Sequence, residues 1–238
     1  MSYDVLASCY DSFVGVNYDD LSALIMSVFQ SFDINGEVLD LACGTGELSL
    51  RLNNAGYKVT GLDLSDEMLK RAREKCQATF VKGDMTDFSL DNPFRAVVCT
   101  LDCINHLRNI EDVKKTFACV YNSLDVGGVF IFDVNSPYKH KEILADNSFV
   151  YEDEQNLLVW RNDYDERLSR VGITLDLFKS NGDCYKRESE SFFEYDYSLE
   201  EICSALEQCG FNVIDVSSEY EMEEVTPDTE RYFIISGR

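Results

Sequence analysis

The residues with the most chemical promise are a pair of glycines and three acids. Val38-Leu-Asp-Leu-Ala-Cys-Gly-Thr-Gly46 places Gly44 and Gly46 directly after an apolar run. Without a Cβ, such positions let backbone N–H groups approach a ligand at the start of a helix. Asp63 follows Gly44 at close to the ~20-residue offset of an acid that hydrogen-bonds a ribose hydroxyl. Asp84 follows a third short apolar segment, in Gly83-Asp84-Met85. A tight turn would explain the glycines alone, and a cap or ion pair would explain any one acid. Asp40, Asp63 and Asp84 at the carboxyl ends of three successive strands instead face the crevice where open α/β sheets bind ligands.

The elements needed to position them can be read from the pattern. Leu21, Leu24, Ile25, Val28 and Phe29 share one face of a helix over 20–32. Strands are expected at 38–42, 58–63, 78–81, 94–101 and 129–133, nearly continuous in apolar residues, as strands covered on both faces are. Between them lie helices carrying Leu48, Leu52 and Ala55; Met68, Leu69 and Ala72; and Val113, Phe117, Val120 and Leu124. Gly56 closes the first of these and Ser65 caps the second. The alternation predicts an α/β, doubly wound, mostly parallel Rossmann-like sheet. From Pro137 the texture changes to alternating and aromatic segments at 148–153, 157–165, 168–180 and 184–197, with Asn181-Gly182 as a hairpin signal. These read as an inserted antiparallel β-subdomain. Ser198-Leu-Glu-Glu201 is a capping box opening a helix to Gln208, and 211–216 and 231–236 read as two final strands. The acidic run Glu219 to Glu224 between them reads as a solvated hairpin end.

The third glycine of a dinucleotide fingerprint is absent, since Ser49 stands there, and Asp40 would repel a pyrophosphate. S-adenosylmethionine carries an α-ammonium and a sulfonium and no phosphate. Charge complementarity therefore favours it over NAD.

Asp40-Leu-Ala-Cys-Gly-Thr-Gly46, Gly61-Leu-Asp-Leu-Ser65, Gly83-Asp84-Met85 and Leu124-Asp-Val-Gly-Gly128 resemble the successive motifs of class I S-adenosylmethionine-dependent methyltransferases over residues 38 to 135. The Tyr10-Asp11 pair and the β-insertion resemble a bacterial small-molecule subgroup, whose sheet is seven-stranded. The resemblance implies a cofactor-binding domain of residues 1–136 and 198–238, with 137–197 inserted as a lid or substrate subdomain. It implies that Asp40, Ala42, Cys43, Gly44, Thr45 and Gly46 hold the amino-acid end of S-adenosylmethionine. Asp63 would take the ribose hydroxyls, Leu64 and Met85 would flank the adenine, and Asp84 would accept from its amino group. Met68 belongs to the same set, Leu101 would lie near the methionine portion, and Tyr10 would fold over the cofactor.

The implied chemistry is in-line displacement at the sulfonium methyl, to a small-molecule or peptide side-chain O or N. Alignment and desolvation of the acceptor supply much of the rate, so a dedicated base is optional. Thr100-Leu-Asp-Cys-Ile-Asn-His106 leaves the fourth strand, making Asp102, Asn105 and His106 the catalytic candidates, with His106 the candidate general base. The structural alternative has Asn105 capping the next helix and His106 packed or solvated. Tyr138, Trp160 and Arg161 are candidates for facing substrate. Asn135-Ser-Pro-Tyr138 resembles an amino-methyltransferase motif but follows the fifth strand instead of the fourth. Cys103 lacks the preceding proline of RNA cytosine methyltransferases. Asp102, Asp133 and Asn135 are poorly spaced for Mg²⁺.

Composition narrows the partners. With 21 basic and 44 acidic residues among 238, the formal charge is −23, which argues against nucleic acid and an anionic membrane surface. Nine scattered cysteines and two histidines suit reduced thiols in a cytoplasmic protein, with no metal site expected. Neither a signal peptide nor a span of ~18 apolar residues is visible. The expected partner is a small-molecule methyl acceptor, with the chain a monomer or a homodimer through the insertion. RNA methylation, a non-catalytic cofactor-binding sensor and an NAD-dependent oxidoreductase are the alternatives.

Overall fold

The structure, a computed structural model, describes residues 10–13, 15–220 and 222–238. Along the chain run α1 (Tyr10–Phe13), α2 (Tyr18–Ser31), β1 (Glu37–Leu41), α3 (Glu47–Asn54), β2 (Lys58–Asp63), α4 (Asp66–Lys75), β3 (Thr79–Lys82) and β4 (Phe94–Cys99). A 3₁₀ turn (Cys103–His106), α5 (Ile110–Ser123), β5 (Leu124–Asn135) and a π-helical turn (Lys139–Leu144) follow. Then come β6 (Ser148–Glu152), β7 (Asn156–Asp165), β8 (Arg170–Ser180), β9 (Tyr185–Tyr195), α6 (Leu199–Gln208), β10 (Asn212–Ser218) and β11 (Arg231–Gly237).

Seven strands form one sheet in the order β10-β11-β5-β4-β1-β2-β3. β3, β2, β1, β4 and β5 pair in parallel, while β11 and β10 run antiparallel. The strand order reverses between β1 and β4, so the crevice lies above their carboxyl ends. Alternate side chains of each strand enter opposite cores. Phe130 and Phe132 of β5 pack with Phe117 of α5 and Ile202 of α6. Val129 and Ile131 pack with Ile25 and Phe29 of α2 and Leu52 of α3 on the other face. The sheet is thus doubly wound, as the near-continuous apolar runs imply.

Local signals place the helix starts. Asn17 caps α2, accepting from the Asp19 and Asp20 backbones, so the helix begins at Tyr18, two residues before the start expected from apolar spacing. Ser65 accepts from the Met68 N–H at the start of α4, and the Ser198–Glu201 capping box opens α6. Leu124 begins β5 instead of ending α5. In the hairpin after β8 only Gly182 takes positive φ (100°), while the Asn181 side chain accepts from the Cys184 N–H.

Between β5 and α6 the chain builds a second, antiparallel sheet in the order β6-β7-β8-β9. Its inner face carries Leu158, Ile173, Leu175 and Phe192, packed with Leu144 of the π-helical turn and Phe13 of α1. The eight cysteines of the described residues are free. No helix among them is long and apolar enough to cross a membrane.

Candidate functional site

The turn after β1 is built for close approach. Ala42, Gly44 and Gly46 all take positive φ (59°, 52° and 78°). A Cβ on Gly46 would lie 2.9 Å from the Ala72 Cβ of α4, so this position both needs the left-handed region and lacks room for a side chain. A Cβ on Gly44 would meet nothing within 4 Å, because Gly44 borders a cavity of about 320 Å³. Asp63 reaches across from β2, accepting from the Gly44 N–H (2.9 Å) and the Ser65 N–H (2.8 Å), one bond per oxygen. Burial raises its carboxyl above the ordinary range, against those hydrogen bonds. Asp84 accepts from the backbone and hydroxyl of Thr86 through Oδ1, which lowers it. Asp84 also lines the cavity.

Of the expected cofactor set, Ala42, Gly44, Asp63, Leu64, Met68, Asp84, Met85 and Leu101 line this cavity. Cys43, Thr45 and Asp40 are buried and, with Gly46, lie outside the lining. Asp40 accepts from the Ser49 hydroxyl at 2.5 Å, and burial lifts its carboxyl to about 7. A buried carboxyl lifted that far is not a firm anion at neutral pH, which weakens the charge complementarity expected of Asp40. Thr45 donates to Asp11 of α1 at 2.5 Å, and Lys75 also pairs with Asp11. The side chain of Tyr10 lies outside the described residues.

The turn after β4 is the other strained element. Leu101 and Asp102 have φ of 63° and 52°, which costs a non-glycine residue on the order of 1–3 kcal/mol each. Asp133, fully buried at the end of β5, holds them there by accepting from the backbone N–H of Leu101 (2.7 Å) and Asp102 (2.6 Å). Asp133 also accepts from Arg231 (2.8 Å) and Tyr220 (2.9 Å), and Arg231 bridges to Asp102 at 2.8 Å. Tyr220 thus folds inward from the acidic run that the sequence suggested was a solvated hairpin end. Burial would raise Asp102, but the Arg231 charge prevails and its carboxyl lies low. An ion-paired carboxylate of that kind is a poor base.

Asn105 is fully buried and spent on backbone: its amide donates to the Asn135 and Tyr195 carbonyls (both 3.1 Å) and accepts from the Asn135 N–H (2.9 Å). It pins the 3₁₀ turn to β5 and β9, and the helix cap expected of it belongs to Asn109. His106 lines the cofactor-side cavity, edge-on to Phe192 with centroids 5.3 Å apart.

A second cavity of about 290 Å³ lies between the main sheet and the inserted one. Leu101 lines both cavities. One wall is apolar, with Phe13, Phe149, Leu158, Trp160, Leu175 and Phe192. The other presents Asp102, Asn135, Lys139, Glu194 and Arg231. Trp160 faces inward, while Arg161, next on the strand, points to the opposite face and pairs with Asp176 at 2.5 Å. Tyr138 precedes the π-helical turn and lines neither cavity. Asp102, His106 and Glu194 hold ligand-type atoms within 4.8 Å of one another.

Glu194, Lys139 and Arg231 carry no local sequence signal for this site. Arg231 reaches it because β11 pairs antiparallel with β5, setting Arg231 opposite Asn135. Glu194 follows two successive phenylalanines, so alternation along β9 does not reveal which of them faces in.

A doubly wound sheet whose crevice carries a glycine turn and two strand-end acids, capped by an inserted sheet, defines a nucleoside-cofactor group-transfer enzyme. Residues 38–128 match the family described as Methyltransferase domain. YqeM of Bacillus subtilis (strain 168) is 34% identical over 239 residues, covering 98% of this chain and 96% of that protein. A solved S-adenosylmethionine-dependent methyltransferase from Clostridium acetobutylicum ATCC 824 is 31% identical, with a TM-score of 0.90 over 99% of this chain and 98% of that one. The dTDP-3-amino-3,4,6-trideoxy-alpha-D-glucopyranose N,N-dimethyltransferase of Streptomyces venezuelae is 34% identical over 110 residues, 46% of this chain and 45% of that protein. The chain belongs to the S-adenosylmethionine-dependent methyltransferases, and S-adenosylmethionine is its cofactor. The donor set fits: the open space over Gly44 leaves room for the ligand, and Asp63 and Asp84 offer carboxylate oxygens for hydroxyl and amino donors.

Proposed function

We propose that this enzyme methylates a small molecule held in the 290 Å³ cavity, at nitrogen or oxygen, with residues 137–197 serving as the lid and substrate-binding subdomain. The observation that carries this reading is Leu101, the wall common to both cavities. A methyl group delivered past that strained turn enters a chamber walled by α1 and the insertion on one side and by Asp102, Asn135 and Arg231 of the main sheet on the other. In this reading Asp63 and Asp84 hold the nucleoside, with Leu64 and Met85 against its base. Asp133 fixes the Leu101–Asp102 turn, Asn105 fixes the 3₁₀ turn, and Trp160 with Phe192 excludes water from the acceptor. When bound, S-adenosylmethionine supplies an electrophilic methyl on a sulfonium. The chain's own task is to align and desolvate the nucleophile. A nitrogen acceptor is favoured by the partial match to the Streptomyces venezuelae N,N-dimethyltransferase.

Calorimetry with S-adenosylmethionine, its demethylated product and NADH tests the cofactor half. Binding of neither sulfur ligand would overturn the reading. Following demethylated product against amines, phenols and carboxylates tests the acceptor half, with turnover expected only when a small acceptor is present.

A further inference from the structure

The polar end of the acceptor cavity is unusual in what it leaves unsatisfied. Asn135 is 3% exposed and lines the cavity; its Nδ2 donates to Glu194 Oε2 at 3.2 Å, yet its Oδ1 is buried without a hydrogen-bond partner. Flipping the amide would set Oδ1 against the Glu194 carboxylate, so the orientation is fixed by the network. A buried orphan acceptor costs roughly 1–3 kcal/mol, and a ligand N–H or O–H would relieve it. Glu194, also 3% exposed, lines the same cavity. Its bonds to Asn135 and to His140 Nε2 (3.1 Å) both fall on Oε2, which leaves Oε1 for a ligand. Asp102 adds a third acceptor on the same wall.

Behind Glu194 stands a chain of fixed groups. His140 is fully buried, with Nε2 at Glu194 and Nδ1 at Asp196 Oδ1 (2.6 Å). Asp196 Oδ2 accepts from the Tyr164 hydroxyl at 2.6 Å. Burial alone would lower the imidazole, but its two carboxylates outweigh that and raise it to about 9. At neutral pH His140 is therefore a cation that holds Glu194 in place through Oε2. Among the described residues the other charged or titratable groups at this end are Lys139, Asp102, His106, Arg231 and Tyr151, with Lys141 4.0 Å from Asp196 behind it. Arg231 is occupied by Asp102 and Asp133. Burial and the nearby Arg231 lower Lys139, which weakens it as a competing cation. A metal at Asp102, His106 and Glu194 would compete with Arg231 and His140 for the same carboxylates.

We propose that the acceptor is a small amine with an apolar body, and that Glu194 receives its ammonium and takes one proton from it, with Asn135 Oδ1 as second acceptor and His140 and Asp196 as positioning residues. An ammonium brings three donors to one point, where a hydroxyl brings one. The N–H bond breaks as the Glu194 O–H bond forms. The freed nitrogen pair then makes the N–C bond while the C–S pair stays on sulfur. The product leaves as a secondary ammonium, and Glu194 returns its proton to water.

This rests on the methyltransferase reading above, and the test separates the two. Methyl transfer from labelled S-adenosylmethionine is measured across a panel of arylalkyl primary amines and the same skeletons bearing hydroxyl. The amines should be methylated and the alcohols not. Glu194→Gln should lose at least about 100-fold in kcat/KM with cofactor affinity unchanged, and Glu194→Asp should recover part of it. His140→Asn should move the acidic limb of the pH profile upward, a shift that a merely structural role would not give. Preference for alcohols, an unimpaired Glu194→Gln enzyme, or no methylated amine while both sulfur ligands still bind would overturn the inference alone. Loss of cofactor binding by the unaltered protein would overturn the reading beneath it.

Discussion

Asp133→Asn is the most informative single change, because one atom converts an acceptor-only group into a half-donor. In the native turn Oδ1 accepts from the Asp102 N–H and Arg231, and Oδ2 accepts from the Leu101 N–H and Tyr220. Whichever way the asparagine amide is placed, two of those four donors face an NH₂ group. Two hydrogen bonds to a charged acceptor, at ~1.5 kcal/mol each, are lost. Arg231 keeps only Asp102, so the total should approach the 3–5 kcal/mol typical of breaking a buried pair, or roughly 6–20 °C in Tm for a chain of this size. The turn at Leu101 and Asp102, strained at positive φ, should then relax. Turnover should fall more than S-adenosylmethionine affinity, since Asp63 and Asp84 sit on other strands. Thermal unfolding followed by near-ultraviolet circular dichroism, calorimetry and methyl transfer give the three readouts, with exposed Asp91→Asn as the control. A variant with Tm within about 1 °C of the native protein and unchanged turnover would show that the Asp133 cluster holds nothing in place.

Three further outcomes are expected. Asp63→Ala should weaken S-adenosylmethionine by about 1–3 kcal/mol, from the ligand hydroxyls and the Gly44 N–H left unpaired; calorimetry reads it directly, and an unchanged Kd refutes the assignment. His140 is raised from 6.5 to about 9 by its carboxylate partners, so its contribution to stability is complete below pH 6.5 and is lost as pH rises through about 9. That contribution is at most roughly 3 kcal/mol. Urea unfolding across this window should show the decline, and His140→Asn should flatten it. Trp160→Ala should cut kcat/KM for the acceptor by at least about tenfold from lost apolar burial, with the cofactor Kd unchanged. Arg161→Ala, on the opposite face of the sheet, should leave kinetics as they are; the reverse pattern would mean that the insertion's faces are wrongly assigned.

The sequence made the cofactor edge legible because its chemistry is local. Glycine, strand-end acid and offset all lie within single βα units, so Asp63 and Asp84 can be placed without knowing which strand neighbours which. The acceptor side depends on pairings between distant segments. Arg231 meets Asp102 and Asp133 only through the antiparallel β11–β5 pairing. Glu194 meets His140 only because the inserted sheet folds back on the π-helical turn. Local reasoning could not see the Arg231 pairing of Asp102 or the backbone bonds that occupy Asn105, and it set Asp133 and Asn135 aside as poorly spaced metal ligands. The neighbouring pair Trp160 and Arg161 shows the same limit, since alternation says that they face opposite ways but not which way is inward.

The strand-end acids divide by what already holds them. At β1 to β3 Asp63 is satisfied by backbone N–H groups of Gly44 and Ser65, and Asp84 by the backbone and hydroxyl of Thr86. Among the described residues neither has a cationic side-chain partner, so each keeps capacity for a ligand. At β4, β5 and β11 the acids Asp102 and Asp133 surround Arg231 and are spent holding a turn. An acid neutralised by arginine positions backbone, whereas one satisfied only by backbone amides remains open to hydroxyl and amino donors. Glu194 falls in a third class, held by a buried imidazolium on one oxygen and open on the other. By this criterion Glu194, rather than the acids nearest the glycine motif, is the carboxylate fitted to meet a cationic acceptor.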